Sequence, residues 1–353
     1  MKPVRVLIVE DSAVVQEHLR RIISADPRLS VAGIAGSGEE ALEIVDRVAP
    51  DVISMDIQLP GMEGFETTRR IMAHRPTPIV VVSGVGAEEV NLTMEAMKAG
   101  ALGVVQKPVS CRHEDYDAVA SRLCTQLAIM SEVKVIRRRD PGPRRPMAQT
   151  GIAPPPRLAL APFQVVVVAA STGGPNALLQ LLTGLGSGFP LPVVVVQHMS
   201  PGFMEGFAEW LTGVTPFAAS VVQGPTKLAP GNCYLAPSNQ HVILSGGVAG
   251  LDAGPPVGNH RPSANVLFSS AARAWGSAAI GVLLTGMGDD GASGLADLKG
   301  AGAITIAEDE STAVVYGMPA AGVALGGVRE LLPIQEIAPR VLDLVASRPR
   351  DGV

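Results

Sequence analysis

The chemistry-bearing residues of this chain sit where apolar runs end. "VVVVAASTGGP" closes a valine run on Ser171 and turns at once through Gly173-Gly174. A buried strand needs no hydroxyl at its tip, whereas a nucleophile does, and the stretch is an alanine variant of the G-x-S-x-G strand-to-helix elbow. A hydroxyl also needs a base and a group to orient that base. "PVVVVQH" ends on His198, and "IGVLLTGMGDDG" offers Asp289 and Asp290 after the next long apolar run. Serine, histidine and aspartate thus each follow a buried-looking strand, which is the pattern of a Ser-His-Asp triad. Each piece has a plainer reading. A serine before Gly-Gly is often a helix N-cap, His241 and His260 compete for the role of base, and "GDDG" is commonly a turn. A phosphate-binding loop is disfavoured, because no Gly-Lys-Ser/Thr follows.

A second set of groups lies earlier. Glu10 and Asp11 follow "VRVLIV", Asp56 follows "PDVISM", Ser83 ends "TPIVVVS", and Lys107 follows "ALGVVQ". Three carboxylates brought together repel, which favours a hard divalent cation such as Mg²⁺. A lysine and a hydroxyl beside them suit a phosphoryl group carried on one carboxylate. Singly, an acid after a strand is an ordinary loop residue; the argument rests on all five in this order.

These groups require α/β architecture to position them. The first half alternates strand and helix patterns in five βα units, the arrangement of a doubly wound sheet with functional groups at its carboxyl edge. Within it, Ser12 is placed to cap the first helix and Gly100 to stop the fourth. The alternation resumes from "FQVVVVAA", giving a second, mainly parallel α/β domain. Between them, Arg137 to Pro162 is rich in Pro and Arg, has no apolar period and reads as an exposed tether. The division expected is residues 1–125, a linker over 126–162, and a second domain over 163–353. At 353 residues and 47% hydrophobic, the chain can fill two cores, and with 3% aromatics it must fill them with aliphatic side chains. The net charge of -5 argues against nucleic acid as a partner. Three scattered cysteines, without zinc spacing, suit buried thiols in a reducing cytoplasm. No apolar run approaches membrane-helix length, and "MKPVRVLIVEDS" lacks the pattern of a signal peptide, so neither membrane insertion nor export is expected.

The first half, about residues 4 to 125, resembles the receiver domain of two-component response regulators. The resemblance implies that Asp56 accepts a phosphoryl group from a chemosensory histidine kinase. It also implies that Glu10, Asp11, Asp56 and the Gln58 carbonyl hold Mg²⁺, and that Ser83 and Lys107 contact the phosphoryl oxygens. Two positions depart from the pattern: Val104 stands where an aromatic switch residue is frequent, and Glu63 where Asp or Asn is usual. The second half resembles the catalytic domain of the CheB family, the chemotaxis protein-glutamate methylesterases, through "ASTGGP", "VVVVQHM", "YLAPSNQH", "HRPSANVLF", "LLTGMGDDGA" and "VYGMP". It implies Ser171 as nucleophile, His198 as base, Asp290 as the acid behind it, the Met287 N–H as an oxyanion donor and Thr172 as a positioning group. Asn265 replaces a frequent Asp, which touches a contact at the rim of the site.

The reading expected is a cytoplasmic enzyme whose receiver obstructs the esterase cleft until it is phosphorylated. It hydrolyses glutamyl methyl esters on methylated chemoreceptors, with receptor glutamine deamidation as a further reaction, and ester hydrolysis itself needs no cofactor. The rival readings are a response regulator whose second half only binds a partner, and an esterase for small free esters.

Overall fold

The computed structural model describes residues 2–84, 87–108, 116–133 and 162–348. The first half runs β1 (Val4–Val9), α1 (Ala13–Ala25), β2 (Leu29–Ala35), α2 (Gly38–Val48), β3 (Val52–Met55), α3 (Gly64–His74), β4 (Ile79–Ser83), α4 (Ala87–Ala99), β5 (Gly103–Gln106) and α5 (Tyr116–Met130). Its strands pair in parallel in the order β2-β1-β3-β4-β5. β1 shows why its buried part, Val6 to Val9, is apolar at every position. Val6 and Ile8 join one core layer and Leu7 and Val9 the other, so both faces are covered. α5 continues to Met130, and Leu127 and Met130 are buried in that core. Ser12 occupies the N-cap of α1, but its side chain makes no capping bond; its N–H donates instead to Glu10 Oε1 at 3.2 Å. Gly100, with φ of 121°, ends α4 as expected.

The second half runs β6 (Val165–Ala170), α6 (Gly174–Leu185), β7 (Val193–Gln197), α7 (Met204–Val214), β8 (Ala218–Val221), β9 (Thr226–Lys227), β10 (Asn232–Leu235), β11 (His241–Ser245) and β12 (Val248–Asp252). It continues with α8 (Ala264–Trp275), β13 (Ala279–Leu283), α9 (Ala292–Gly300), β14 (Ile304–Glu308), α10 (Met318–Ala324), β15 (Glu330–Leu332) and α11 (Ile334–Ser347). Seven strands form a parallel sheet in the order β15-β14-β13-β6-β7-β10-β8, and β11, β12 and β9 form a small antiparallel sheet. Along β6, Val166, Val168 and Ala170 face α6, α7 and α11, while Val165, Val167 and Ala169 face α8 and α9. The strand order reverses at β6, between β13 and β7, which is where open α/β sheets place their ligands. Ser171, His198 and Thr285 to Asp290 follow these three strands.

Among the described residues, no helix is long and apolar enough to cross a membrane. Cys124 and Cys233 are buried free thiols, pushed by burial up to about 11 and about 12. Cys111 and the Pro/Arg-rich stretch before Pro162 lie outside the described residues.

Candidate active site and phospho-acceptor site

The turn after β6 needs both of its glycines. Gly173 has φ of 77°, and a Cβ there would come within 2.5 Å of Val314 Cβ. A Cβ on Gly174 would collide with the Gln197 side-chain oxygen. Gln197 in turn donates from Nε2 to the Ser171 carbonyl at 2.8 Å and to the His198 carbonyl at 2.9 Å, tying the two strand ends together. Gly286 packs as closely, since a Cβ there would lie 2.8 Å from Ser171 Cβ. Small residues around the serine therefore let three chain segments converge on it.

His198 Nε2 meets Asp290 Oδ2 at 2.9 Å. The ring's Nδ1 is buried and has no hydrogen-bond partner among the described residues. Asp290 is 2% exposed and sits at the N-terminus of α8. It accepts from Ser263 Oγ at 2.7 Å, from Ala264 N–H at 2.7 Å and from Asn265 N–H at 3.1 Å. Burial opposes its ionisation, but the bonds from His198 and Ser263, with the α8 amide, outweigh burial and lower its carboxyl to about 2. Asp289 is exposed, so of the adjacent pair Asp290 is the one in the site.

The rival histidines separate on geometry. His241 is buried, accepts from Ser263 N–H on Nδ1 at 3.0 Å and bonds the Pro255 carbonyl through Nε2 at 3.1 Å, so neither nitrogen is free to act as a base. His260 stacks on His198, with ring centroids 4.2 Å apart and planes 14° from parallel. Burial and the neighbouring His198 lower its pKa. Asn265 departs from its expected place at the rim: its Oδ1 accepts from Gly291 N–H at 3.0 Å and Gly294 N–H at 2.9 Å, pinning the turn that carries Asp290. Nothing in the sequence pattern marks that role, because it depends on α8 and α9 packing side by side.

Ser171, Thr172, His198, His260 and Met287 line one cavity of about 490 Å³. Thr172 is otherwise buried, and Met287 lies at the exposed lip, 36% accessible. The far wall comes from the first half, through Met97, Leu102, Gly103, Val104, Arg122 and Gln126. Among the described residues, two direct hydrogen bonds cross between the halves. Gly173 N–H donates to the Leu102 carbonyl at 3.2 Å, and Asn176 Nδ2 donates to the Met97 carbonyl at 2.7 Å. Met94 of α4 is fully buried in the second half's core, and Val104 packs against that core too. A valine at this strand position is thus itself part of the contact between halves.

At the carboxyl edge of the first sheet, Lys107 Nζ lies 2.7 Å from Asp56 Oδ2 and 3.0 Å from Glu10 Oε2. Asp56 Oδ1 also accepts from Ile57 N–H at 2.7 Å and Gln58 N–H at 3.4 Å. Burial, and then the Asp56 charge, push Glu10 up to about 7; burial also raises Asp56, against the pull of Lys107. Burial works against the Lys107 ammonium, but the two acids outweigh it and raise its pKa. Ser83 is fully buried beside them, and its carbonyl accepts Lys107 N–H at 2.8 Å. One oxygen each from Glu10, Asp11 and Asp56 lies within 4.8 Å of the others. Two buried acids with raised affinities for protons, beside an exposed third, form an oxygen donor set that a hard cation fits.

The fold and these two strand-end sites define a class: a receiver sheet joined to an α/β sheet that presents serine, histidine and aspartate at one cleft. Residues 6–114 match the response regulator receiver domain, and residues 166–341 match the CheB methylesterase family. The protein-glutamate methylesterase/protein-glutamine glutaminase 2 of Paramagnetospirillum magneticum is 48% identical over 348 residues, covering 97% of this chain and 98% of the relative. A protein-glutamate methylesterase/protein-glutamine glutaminase of Syntrophus aciditrophicus is 45% identical, covering 98% and 99%. The crystal structure of the Thermotoga maritima CheB methylesterase catalytic domain is 36% identical, with a TM-score of 0.50, covering 52% of this chain and 99% of that one. The chain belongs to the CheB family of receiver-linked methylesterases.

Proposed function

We propose that this chain is a phosphorylation-controlled protein-glutamate methylesterase and protein-glutamine glutaminase that acts in the cytoplasm on methylated chemoreceptors. The observation that carries the reading is the His198–Asp290 pair, closed at 2.9 Å and opening on the cleft that also holds Ser171. In this reading the catalytic domain begins near Phe163, the receiver extends through the end of α5, and the Pro/Arg-rich stretch joins them.

With Nε2 engaged by Asp290, Nδ1 is the nitrogen left to take the Ser171 proton. Ser171 Oγ adds to the ester carbonyl, and the resulting oxyanion accepts the Met287 N–H. The imidazolium, stabilised by the ionised Asp290, gives its proton to the departing methoxide, and methanol leaves. His198 then takes a proton from water, which cleaves the glutamyl-serine ester, releases the glutamate side chain and restores Ser171. A glutamine would follow the same steps with ammonia leaving. Thr172 shapes the turn beside the imidazole. All of these groups belong to the protein, so the hydrolysis calls for no cofactor.

In the receiver, Asp56 is the phospho-acceptor for a histidine kinase. Glu10, Asp11, Asp56 and the Gln58 carbonyl would hold Mg²⁺, whose charge would offset that of a phosphoryl group; Lys107 and Ser83 would contact the phosphoryl oxygens. A receptor helix is ~10–12 Å across. In this reading α4 and β5, which wall the cleft, obstruct its approach to Ser171, and phosphorylation acts by loosening that contact.

Methanol release from methylated receptor membranes, with and without acetyl phosphate and Mg²⁺, tests the reading. Ser171→Ala is expected to lower turnover by at least about 10³-fold while the chain stays folded. Wild-type turnover by that variant would sink it.

A further inference from the structure

The direction in which the Ser171 side chain leaves the backbone is set by the peptide groups on either side of it. Ser171 N–H donates to the Thr285 carbonyl at 3.0 Å. Two peptide units later, the Thr172 carbonyl accepts the Thr285 hydroxyl at 2.9 Å. One residue therefore grips the nucleophile's turn from both ends. Thr285 is held in its turn: its N–H donates to the buried Glu308 carboxylate at 2.8 Å, and its hydroxyl oxygen accepts Val315 N–H at 2.9 Å. Its backbone donor, backbone acceptor and side-chain hydroxyl are all engaged, and it is 1% exposed. It does not line the cleft and so has no route to the substrate.

We propose that Thr285 is the positioning residue of the nucleophile, and that its hydroxyl, not its bulk, does this. The inference rests on the reading that Ser171 is the nucleophile. Valine has the shape of threonine without the hydroxyl, and would leave the Thr172 carbonyl and the Val315 N–H without that partner. Serine keeps the hydroxyl and drops only the methyl group. Small displacements of a nucleophile lower the rate of the chemical step, as much as about 10²-fold for 1 Å, and a residue outside the cleft leaves substrate binding alone. A merely structural residue would change the amount of folded protein without dividing the kinetic constants in this way.

The test is methanol release by the phosphorylated full-length chain, with kcat and KM determined separately and the thermal unfolding midpoint recorded for each variant. Thr285→Val is expected to lower kcat roughly 10- to 100-fold with KM within about twofold of wild type. Thr285→Ser is expected to hold kcat within about threefold of wild type. A Thr285→Val chain with wild-type kcat overturns the inference, as does a folded Thr285→Ser chain as slow as the valine variant. If the valine chain fails to fold, Thr285→Ala replaces it in the same comparison. If alanine fails too, the serine variant decides alone, on the same threefold limit. Activity retained by Ser171→Ala overturns the nucleophile assignment itself, whatever the Thr285 variants do.

Discussion

Two buried aspartates, one in each half, follow strands of parallel sheets and end in opposite electrostatic states. Asp56 is 4% exposed and its pKa is raised; Asp290 is 2% exposed and its pKa is lowered to about 2. Burial is nearly the same, so it does not decide the difference. The neighbours do. Asp290 collects His198, the Ser263 hydroxyl and two α8 amides, and the nearest acid in sequence, Asp289, points to solvent. Asp56 shares the Lys107 ammonium with Glu10. Asp290 is a charge already neutralised by the protein, suited to holding an imidazole. Asp56 is under-neutralised, suited to receiving a cation and then a phosphoryl group.

The sharpest test of this contrast is Asp290→Asn. An amide cannot stabilise the imidazolium as a carboxylate does, and turnover should fall by roughly 10⁴-fold, read as methanol release. A loss under tenfold would mean that Asp290 only props the ring. Next in size is the contact that joins the two regions. Met94→Lys puts an ammonium where a fully buried side chain meets the second core. The unphosphorylated variant should gain activity, up to roughly the 5- to 150-fold typical of coupled sites. No gain would mean that the α4 contact does not restrain the enzyme.

The same Asp-to-Asn change should then act differently on stability in the two halves. Asp290 is ionised more readily folded than unfolded, so its contribution is present above about pH 4 and is lost as pH falls through 2. It amounts to about 2 kcal/mol at neutral pH. Asp290→Asn should therefore lower stability at pH 7. Asp56→Asn removes an acid that folding makes harder to ionise and should be neutral or stabilising at the same pH. Both tryptophans, Trp210 and Trp275, lie in the second half, so their fluorescence follows that half in urea while circular dichroism follows both. Equal losses for the two variants would break the comparison.

A last test concerns Glu308, whose carboxyl burial pushes up to about 7 despite the Thr285 amide. Its folded form holds its proton more tightly than the unfolded one, so stability is highest below about pH 4.5, declines towards 7 and is level above it. The change is on the order of 3 kcal/mol. Glu308→Gln should flatten that decline, measured as urea midpoints at pH 5 and pH 8. An unchanged slope would assign the pH dependence to other groups.

Much of this was legible in the sequence for local reasons. A parallel strand covered on both faces is a nearly continuous apolar run, so β1, β3, β4, β6, β7 and β13 announce themselves, and the carboxyl ends of such strands are where ligands bind. Gly173 and Gly174 mark a turn because only glycine fits there. Asp56, Lys107, Ser171 and His198 stand out as candidates because each follows such a run. What only the tertiary structure decided depends on segments distant in the chain. His241 and His260 look like equal candidates until packing ties up both nitrogens of one and lays the other on His198. Asn265 and Thr285 carry no pattern, because what they hold is backbone that the fold brings beside them from Gly291 and Thr172. The wall that Leu102 and Val104 place across the Ser171 cleft is likewise invisible to periodicity. Periodicity records which face of an element is covered, and it is silent on what covers it.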